Sequence, residues 1–279
     1  MEKKIMMENN LGVDLHFRTF GSGPPLMILH GLFGSGDNWL TLARKWSTDH
    51  TIYLPDLRNH GRSEWTSNHN YHSMAEDVLR LMDQCGLSTA NILGHSMGGK
   101  VSMTLALHFP DRVSTLTVVD IAPRIYLLNE HQHLLSTLAA VDLLSFDNRT
   151  QLDDYLAPKI PQSDTRQFIL KNIYRSDEGV FTWRMNVQGL LANLNSVGDD
   201  SSFVGCGPVS IPALFIAGGA SAYIRAPDEA GIRKLFPLAQ LVRIPGAGHW
   251  VHSDAPDALS DHVCAFLNRN KNKIEQQFF

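Results

Sequence analysis

Gly94-His95-Ser96-Met97-Gly98 sets a serine among glycines at the point where a strand-like run, Ala90–Leu93, passes into the helical pattern "KVSMTLALHF". A serine on a strand–turn–helix corner can act as a nucleophile if the turn lifts its hydroxyl clear of the strand ends. The glycines fit that requirement, because so tight a turn leaves no room for flanking side chains. The helix that follows brings its positive end and the N–H of Met97 to the place where charge would develop on an attacked carbonyl. An ordinary glycine-rich turn is the plainer reading, but the strand before and the helix after favour the nucleophile. A second donor is expected from the loop after "LMILHG", with the N–H of Leu32 as the candidate. Gly31-Leu32-Phe33-Gly34-Ser35-Gly36 does not have the G-x-G-x-x-G spacing of a dinucleotide turn. His30 is expected to brace this loop.

Of the thirteen histidines, His249 is the one placed for general-base work. It lies in "IPGAGHWVHSDAP", in a loop between the last strand and the last helix, from which an imidazole can reach across the carboxyl edge of a sheet. His252, three residues on, is the nearest competitor. His69, His131 and His133 are expected to face solvent. No H-E-x-x-H or Cys/His spacing points to a metal site, and the chemistry needs no cofactor. Three carboxylates compete to orient the imidazole. Asp120 ends "STLTVVD", Asp228 follows the strand Ala213–Ala217 by eleven residues, and Asp56, in "LPDLRNHGRS", is expected to brace its own loop. Neighbouring strand ends in a parallel sheet lie about 5 Å apart, so Asp120 can reach the same imidazole. A helix cap or hinge is its plainer reading.

The elements that must hold these residues alternate between strand and helix. Strands are expected at Val13–Thr19, Leu26–His30, Thr51–Leu54, Ala90–Leu93 and Ser114–Val119. "SMAEDVLRLMDQCG" reads as a helix opened by a Ser73/Glu76 capping box, with Met74, Val78, Leu81, Met82 and Cys85 on one face and Gly86 as its stop. Strands separated by helices imply parallel pairing through crossovers, with an antiparallel edge possible among the first strands. From Pro123 to about Gly207 the chain is leucine-rich, helical in pattern and poor in β-branched runs. The alternation then resumes with strand Ala213–Ala217, a helix near Asp228–Leu235, strand Gln240–Ile244 and a final helix with Pro256 in its first turn. Residues 1–122 and 208–270 therefore read as one sheet core, 123–207 as a helical lid insert and 271–279 as a fraying tail.

Composition excludes several other classes. A net charge of −4 without a long like-charge block gives no footprint for nucleic acid or anionic membrane. No run approaches the roughly 18 apolar residues of a membrane span, and "MEKKIMMENN" lacks the apolar stretch of a signal peptide. Three scattered cysteines, Cys85, Cys206 and Cys264, suggest reduced thiols. A cytoplasmic location is the expectation these features share. Oligomeric state has no signature in the sequence.

The "HG", "PDLRNHGRS", "GHSMGG" and "GAGHWVH" segments together resemble the α/β-hydrolase superfamily, over about residues 13 to 270 apart from the insert. Within it they are similar to small bacterial esterases and acyl-CoA thioesterases related to mitochondrial abhydrolase-domain proteins. The resemblance implies a mostly parallel α/β sheet flanked by helices, a helical lid, and a Ser–Asp–His triad hydrolysing a small-molecule ester or acyl thioester. In many such proteins the acid follows the strand "LFIAGG", where this chain has Ser221, which cannot supply a carboxylate. The resembled esterases place it in a "VDIAP"-like segment, which here is Val119-Asp120-Ile121-Ala122-Pro123. The implied triad is Ser96, Asp120 and His249, with Leu32 and Met97 as oxyanion donors. Phe33, Tyr126 and Tyr223 are candidates for the acyl pocket, and Arg124 for an anionic leaving group. A carbon–carbon lyase or synthase on the same triad, and a ligand receptor with residual hydrolysis, are the alternatives.

Overall fold

In the computed structural model, which describes residues 12–275, the aliphatic runs of the sequence pair into one seven-stranded sheet. The first part of the chain supplies β1 (Phe17–Gly21), β2 (Pro25–Leu29), α1 (Leu40–Trp46), β3 (Thr51–Pro55), α2 (Tyr71–Gln84), β4 (Ala90–His95), α3 (Met97–His108) and β5 (Val113–Val119). The chain then leaves the sheet for α4 (Asn129–Ala139), α5 (Arg149–Leu156), α6 (Ser163–Leu170), the hairpin β6 (Ile173–Arg175) and β7 (Phe181–Trp183), α7 (Val187–Ala192) and α8 (Leu194–Gly198). It returns through β8 (Ala213–Gly218), α9 (Asp228–Leu235), β9 (Ala239–Ile244), α10 (Val251–Asp254) and α11 (Pro256–Glu275).

The strand order is β1-β3-β2-β4-β5-β8-β9, antiparallel only between β1 and β3. Central strands of a parallel sheet bury both faces, and their sequences are apolar throughout for that reason. In β2, Leu26 and Ile28 pack toward α1 and α11, while Met27 and Leu29 pack toward α2 and α3. In β8, Leu214 and Ile216 take the first side and Ala213, Phe215 and Ala217 the second. Leu134, Leu152, Leu170 and Leu190 of the segment between β5 and β8 join the core on the α2/α3 side. That segment is therefore packed onto the sheet domain. Because β5 and β8 are parallel hydrogen-bonded neighbours, it leaves from the carboxyl end of β5 and returns to the amino end of the adjacent β8. No helix among the described residues is long and apolar enough to cross a membrane.

Local details depart from the sequence expectations where side chains compete for backbone donors. β1 begins at Phe17, not Val13, because the Val13 N–H donates to Asp77 (2.7 Å) and the His16 N–H to Ser63 Oγ (2.8 Å). α2 begins at Tyr71 and is capped by Asn70, whose side chain accepts the Ser73 N–H at 2.9 Å; Ser73 sits inside the first turn and is not the cap. Asn outranks most residues as a cap and lies three positions earlier. The hairpin β6–β7 was hidden by its length, since three-residue strands show no alternation; Gly179, with φ +80°, turns it. α11 continues to Glu275, past the expected helix end at residue 270, while the last four residues of the expected tail lie outside the described residues. Cys85, Cys206 and Cys264 are all free thiols.

Candidate active site

Ser96 follows directly on β4 and precedes α3, with φ +52° and ψ −118°. This is a strained conformation for a residue with a side chain, and it persists only where the surroundings enforce it. Here they do. The Ser96 N–H donates to the Val119 carbonyl of β5 at 3.0 Å. A Cβ at Gly94 would run into the Gly98 carbonyl and the Ser102 hydroxyl, and one at Gly98 into the carbonyls of Leu29 and His30. Glycine at both positions lets β4, β2 and α3 approach closely enough to form the turn. The Met97 N–H is the first of α3 and so has no acceptor within the helix.

The loop after β2 faces this turn and is braced from below by buried histidines. His30 Nδ1–H donates to the Gly31 carbonyl (2.8 Å), while its Nε2 accepts the Leu57 N–H (2.9 Å). His60 Nδ1–H donates to the Arg58 carbonyl (2.9 Å), while its Nε2 accepts the Phe33 N–H (3.3 Å). The loop residue Phe33 itself has φ +64°, and its carbonyl accepts from Asn172 Nδ2 at 2.8 Å. The Leu32 N–H is thus held in a loop fixed on both sides. Arg58 forms a buried bidentate pair with Asp77 at 2.6 and 2.7 Å, which ties the "PDLRNHGRS" loop to α2. Asp56 accepts the Gly36 and Arg62 N–H groups (2.8 and 3.0 Å), the bracing role expected for it.

Burial pushes His30 to a pKa of about 4, from an ordinary 6.5. His60, lowered by burial and by the neighbouring His30, falls to about 3. Both rings are neutral in the folded chain. Below about pH 6.5 the unfolded chain binds protons at these positions that the folded chain refuses. Stability is therefore expected to be full above that pH and to fall toward pH 4, by about 1.4 kcal/mol per pH unit for each histidine. Urea unfolding at a series of pH values between these limits measures it. A midpoint that holds or rises on acidification contradicts this account.

Asp120 ends β5 as Ser96 ends β4, again in the left-handed region (φ +51°), and its N–H donates to the Ile216 carbonyl of β8 at 2.8 Å. Its carboxylate is fully buried. The Gly218 N–H donates to Oδ1 at 2.9 Å, and Oδ2 accepts from both the Ser221 hydroxyl and His249 Nδ1–H, the latter at 2.8 Å. With the Nδ1 proton held by the carboxylate, His249 Nε2 is free to accept the Ser96 Oγ–H at 3.0 Å. Ser96, His249 and Asp120 thus form one continuous line of hydrogen bonds, the three residues that the family resemblance implied as a triad. Ser221 stands after β8 as a donor to the acid on the adjacent strand.

Two further side chains hold the imidazole. Tyr223 lies flat against it, with ring centroids 3.8 Å apart and planes 16° apart. His95 Nε2–H donates to the His249 carbonyl at 2.8 Å; burial lowers its pKa well below the usual imidazole range and keeps the ring neutral. His252, the competing imidazole, sits in α10, stacked on Trp39 at 4.7 Å. Asp228 is turned away as well. It opens α9 and pairs with Arg124 Nε at 3.0 Å, and the Arg124 guanidinium lies 3.9 Å over the Tyr126 ring. Arg124 is thereby engaged by an acid and an aromatic face and lines neither cavity at Ser96, contrary to the leaving-group role expected of it.

Those two cavities meet at Ser96. The outer one, of about 850 Å³, is lined by His249, Phe33, Tyr223 and Trp250 together with residues of α4 and α6. The inner one, of about 20 Å³, lies beyond Leu32 and Met97 and is bordered by Tyr126 and Lys100. Phe33 and Tyr223 therefore line the outer space, and Tyr126 and Tyr223 the inner one. His131, expected at the surface, is half-buried, stacks on Phe33 at 6.0 Å and lines both. His69, also expected at the surface, is fully buried next to His60, and its polar sequence neighbours carry no sign of that burial. His133 is exposed. Among the described residues, no group of three or more His, Cys, Asp or Glu side chains is arranged to hold a metal ion.

A family model described as alpha/beta hydrolase fold matches residues 24–256. The sn-1-specific diacylglycerol lipase ABHD11 of Mus musculus is 37% identical over 253 residues, which span 88% of this chain and 81% of that protein. Esterase YbfF of Escherichia coli (strain K12) is 35% identical over 247 residues, 88% of this chain and 93% of that one. Among solved structures, a marine microorganism esterase superposes with a TM-score of 0.89 at 39% identity, over 91% of this chain and 100% of the other.

Proposed function

The chain belongs to the α/β-hydrolase family, and on that premise we propose that it hydrolyses carboxylic esters or acyl thioesters through an acyl-enzyme on Ser96. The observation that carries this reading is the unbroken path from Ser96 Oγ through His249 to the buried Asp120, at 3.0 and 2.8 Å. The Ser96 oxygen attacks the acyl carbonyl as its proton passes to His249 Nε2, and the carbonyl oxygen becomes an oxyanion between the N–H groups of Leu32 and Met97. Collapse of this intermediate breaks the bond to the leaving group, which takes the proton from Nε2. Water then repeats the sequence on the acyl-enzyme and regenerates Ser96. Asp120 keeps the Nδ1 proton in place and stabilises the imidazolium, while the Tyr223 ring face supplies a second favourable contact for that cation.

The activities for which the mouse lipase and the Escherichia coli esterase are named support an ester as the scissile group. Residues 123–207 are read as the lid that shapes the substrate space, since α4 and α6 wall the outer cavity and loops with such positions govern access. An activity-based experiment tests the whole reading. A serine-directed fluorophosphonate is expected to label the protein once, on the peptide carrying Ser96, with parallel loss of p-nitrophenyl acetate hydrolysis. Labelling elsewhere, or full hydrolysis by the labelled protein, contradicts it.

A further inference from the structure

We propose that Lys100 limits the acyl chain to about two to four carbons, by closing with Tyr71 and Tyr126 the floor of a short acyl-binding cavity. The inference rests on the hydrolase reading above. In that reaction His249 Nε2 must give its proton to the departing atom, so the leaving group lies on the His249 side, in the outer cavity. The acyl group then extends the other way, past Leu32 and Met97, into the inner cavity. Its volume of about 20 Å³ is on the order of one or two water-sized spheres.

The floor of that cavity is polar and tied down from both sides. Lys100 lies four residues after Ser96 in α3, one turn along the same face. It is only 1% exposed, and its ammonium donates to the carbonyls of Gly198, at 3.3 Å, and Asp199, at the end of α8. Nζ also stands 5.3 Å from the Tyr71 ring centroid and 5.1 Å from that of Tyr126. The Tyr71 hydroxyl donates to the Val197 carbonyl at 2.6 Å. The Tyr126 hydroxyl donates to the Tyr223 carbonyl at 2.6 Å and accepts the Ala122 N–H at 2.9 Å. Burial lowers the Lys100 pKa to about 8, with Asp199 and Asp200 opposing that shift, which fits an ammonium with little water around it. A longer alkyl chain would have to displace this charge from its acceptors and leave it against hydrocarbon, at a cost no methylene contact offsets. A lysine at this depth is therefore a specificity-determining residue and more than a staple between α3 and α8.

The test compares p-nitrophenyl acetate, butyrate, hexanoate and octanoate with the wild type, Lys100→Ala and Lys100→Met. The wild type is expected to lose about 10-fold or more in kcat/KM for each methylene past the floor. Lys100→Ala is expected to raise the hexanoate-to-acetate ratio by about 10-fold or more, and Lys100→Met, which keeps the length without the charge, by less. If Lys100→Ala does not fold, Tyr71→Ala opens the same floor from α2 and must give the same shift. A wild type that cleaves octanoate as readily as acetate overturns the proposal, as do folded variants whose rates fall in parallel for every ester, the mark of a purely structural lysine. Either result leaves hydrolysis by Ser96 intact, whereas failure of that reading appears as no ester turnover and no fluorophosphonate label.

Discussion

Ser96→Ala is expected to lower turnover of an activated ester by about 10⁶-fold, with an unfolding midpoint close to wild type. The hydroxyl is the only group removed, and in the proposed reaction it forms the bond to the substrate. What builds the turn is retained: Gly94 and Gly98 admit the close approach of β2, β4 and α3, and the N–H of residue 96 still reaches the Val119 carbonyl. Alanine tolerates a φ of +52° no worse than serine does. The residual rate then reports the oxyanion donors and binding alone. Turnover above about one-hundredth of wild type, measured on protein freed of contaminating esterase, removes Ser96 as nucleophile.

Asp120→Asn is expected to cost up to about 10⁴ in turnover while preserving the fold. Three donors converge on the carboxylate: the Gly218 N–H, the Ser221 hydroxyl and His249 Nδ1–H. A carboxamide offers one oxygen in place of two. If that oxygen keeps the Gly218 N–H, the amide nitrogen faces Ser221 and His249, and the imidazole must turn its lone pair to it. Nε2 then carries the proton and cannot accept one from Ser96. Asp228→Asn is the control, because that carboxylate is engaged with Arg124 and Arg225 at 3.0 and 3.6 Å; it should change turnover little. A near-normal Asp120→Asn beside an inactive Asp228→Asn would reverse the assignment.

Much of this site was legible because it is written in short-range terms. Ser96 lies in a five-residue pattern whose glycines have direct steric meaning, and His249 and Asp120 each follow a recognisable strand. What escaped was information carried by contacts across the chain. His69 stands among polar sequence neighbours and is nevertheless fully buried, with its ring beside His60 and Nδ1 3.4 Å from Asn59 Nδ2. Tyr223 reads from sequence as a pocket candidate, and nothing local announces that its ring lies on His249. For Lys100 the available signal is that it is the single lysine of α3 and lies one helical turn beyond Ser96. The charge of Arg124 is matched by Asp228 at the start of α9, a partner distant in the chain that the local sequence does not announce.

The placement of Asp120 bears on how such a chain can be rebuilt. Where the acid follows β8, the segment between β5 and β8 can be exchanged as a cassette whose first junction lies off the catalytic line. Here that junction begins at Pro123, three residues after the acid, and Tyr126 just beyond it binds the Ala122 N–H and the Tyr223 carbonyl together. Any replacement segment inherits the task of holding the backbone next to Asp120 and the tyrosine that lies on His249. Grafting between relatives is thus expected to succeed only when the cut falls after Tyr126, so that substrate range can be traded while the proton path keeps its own anchor.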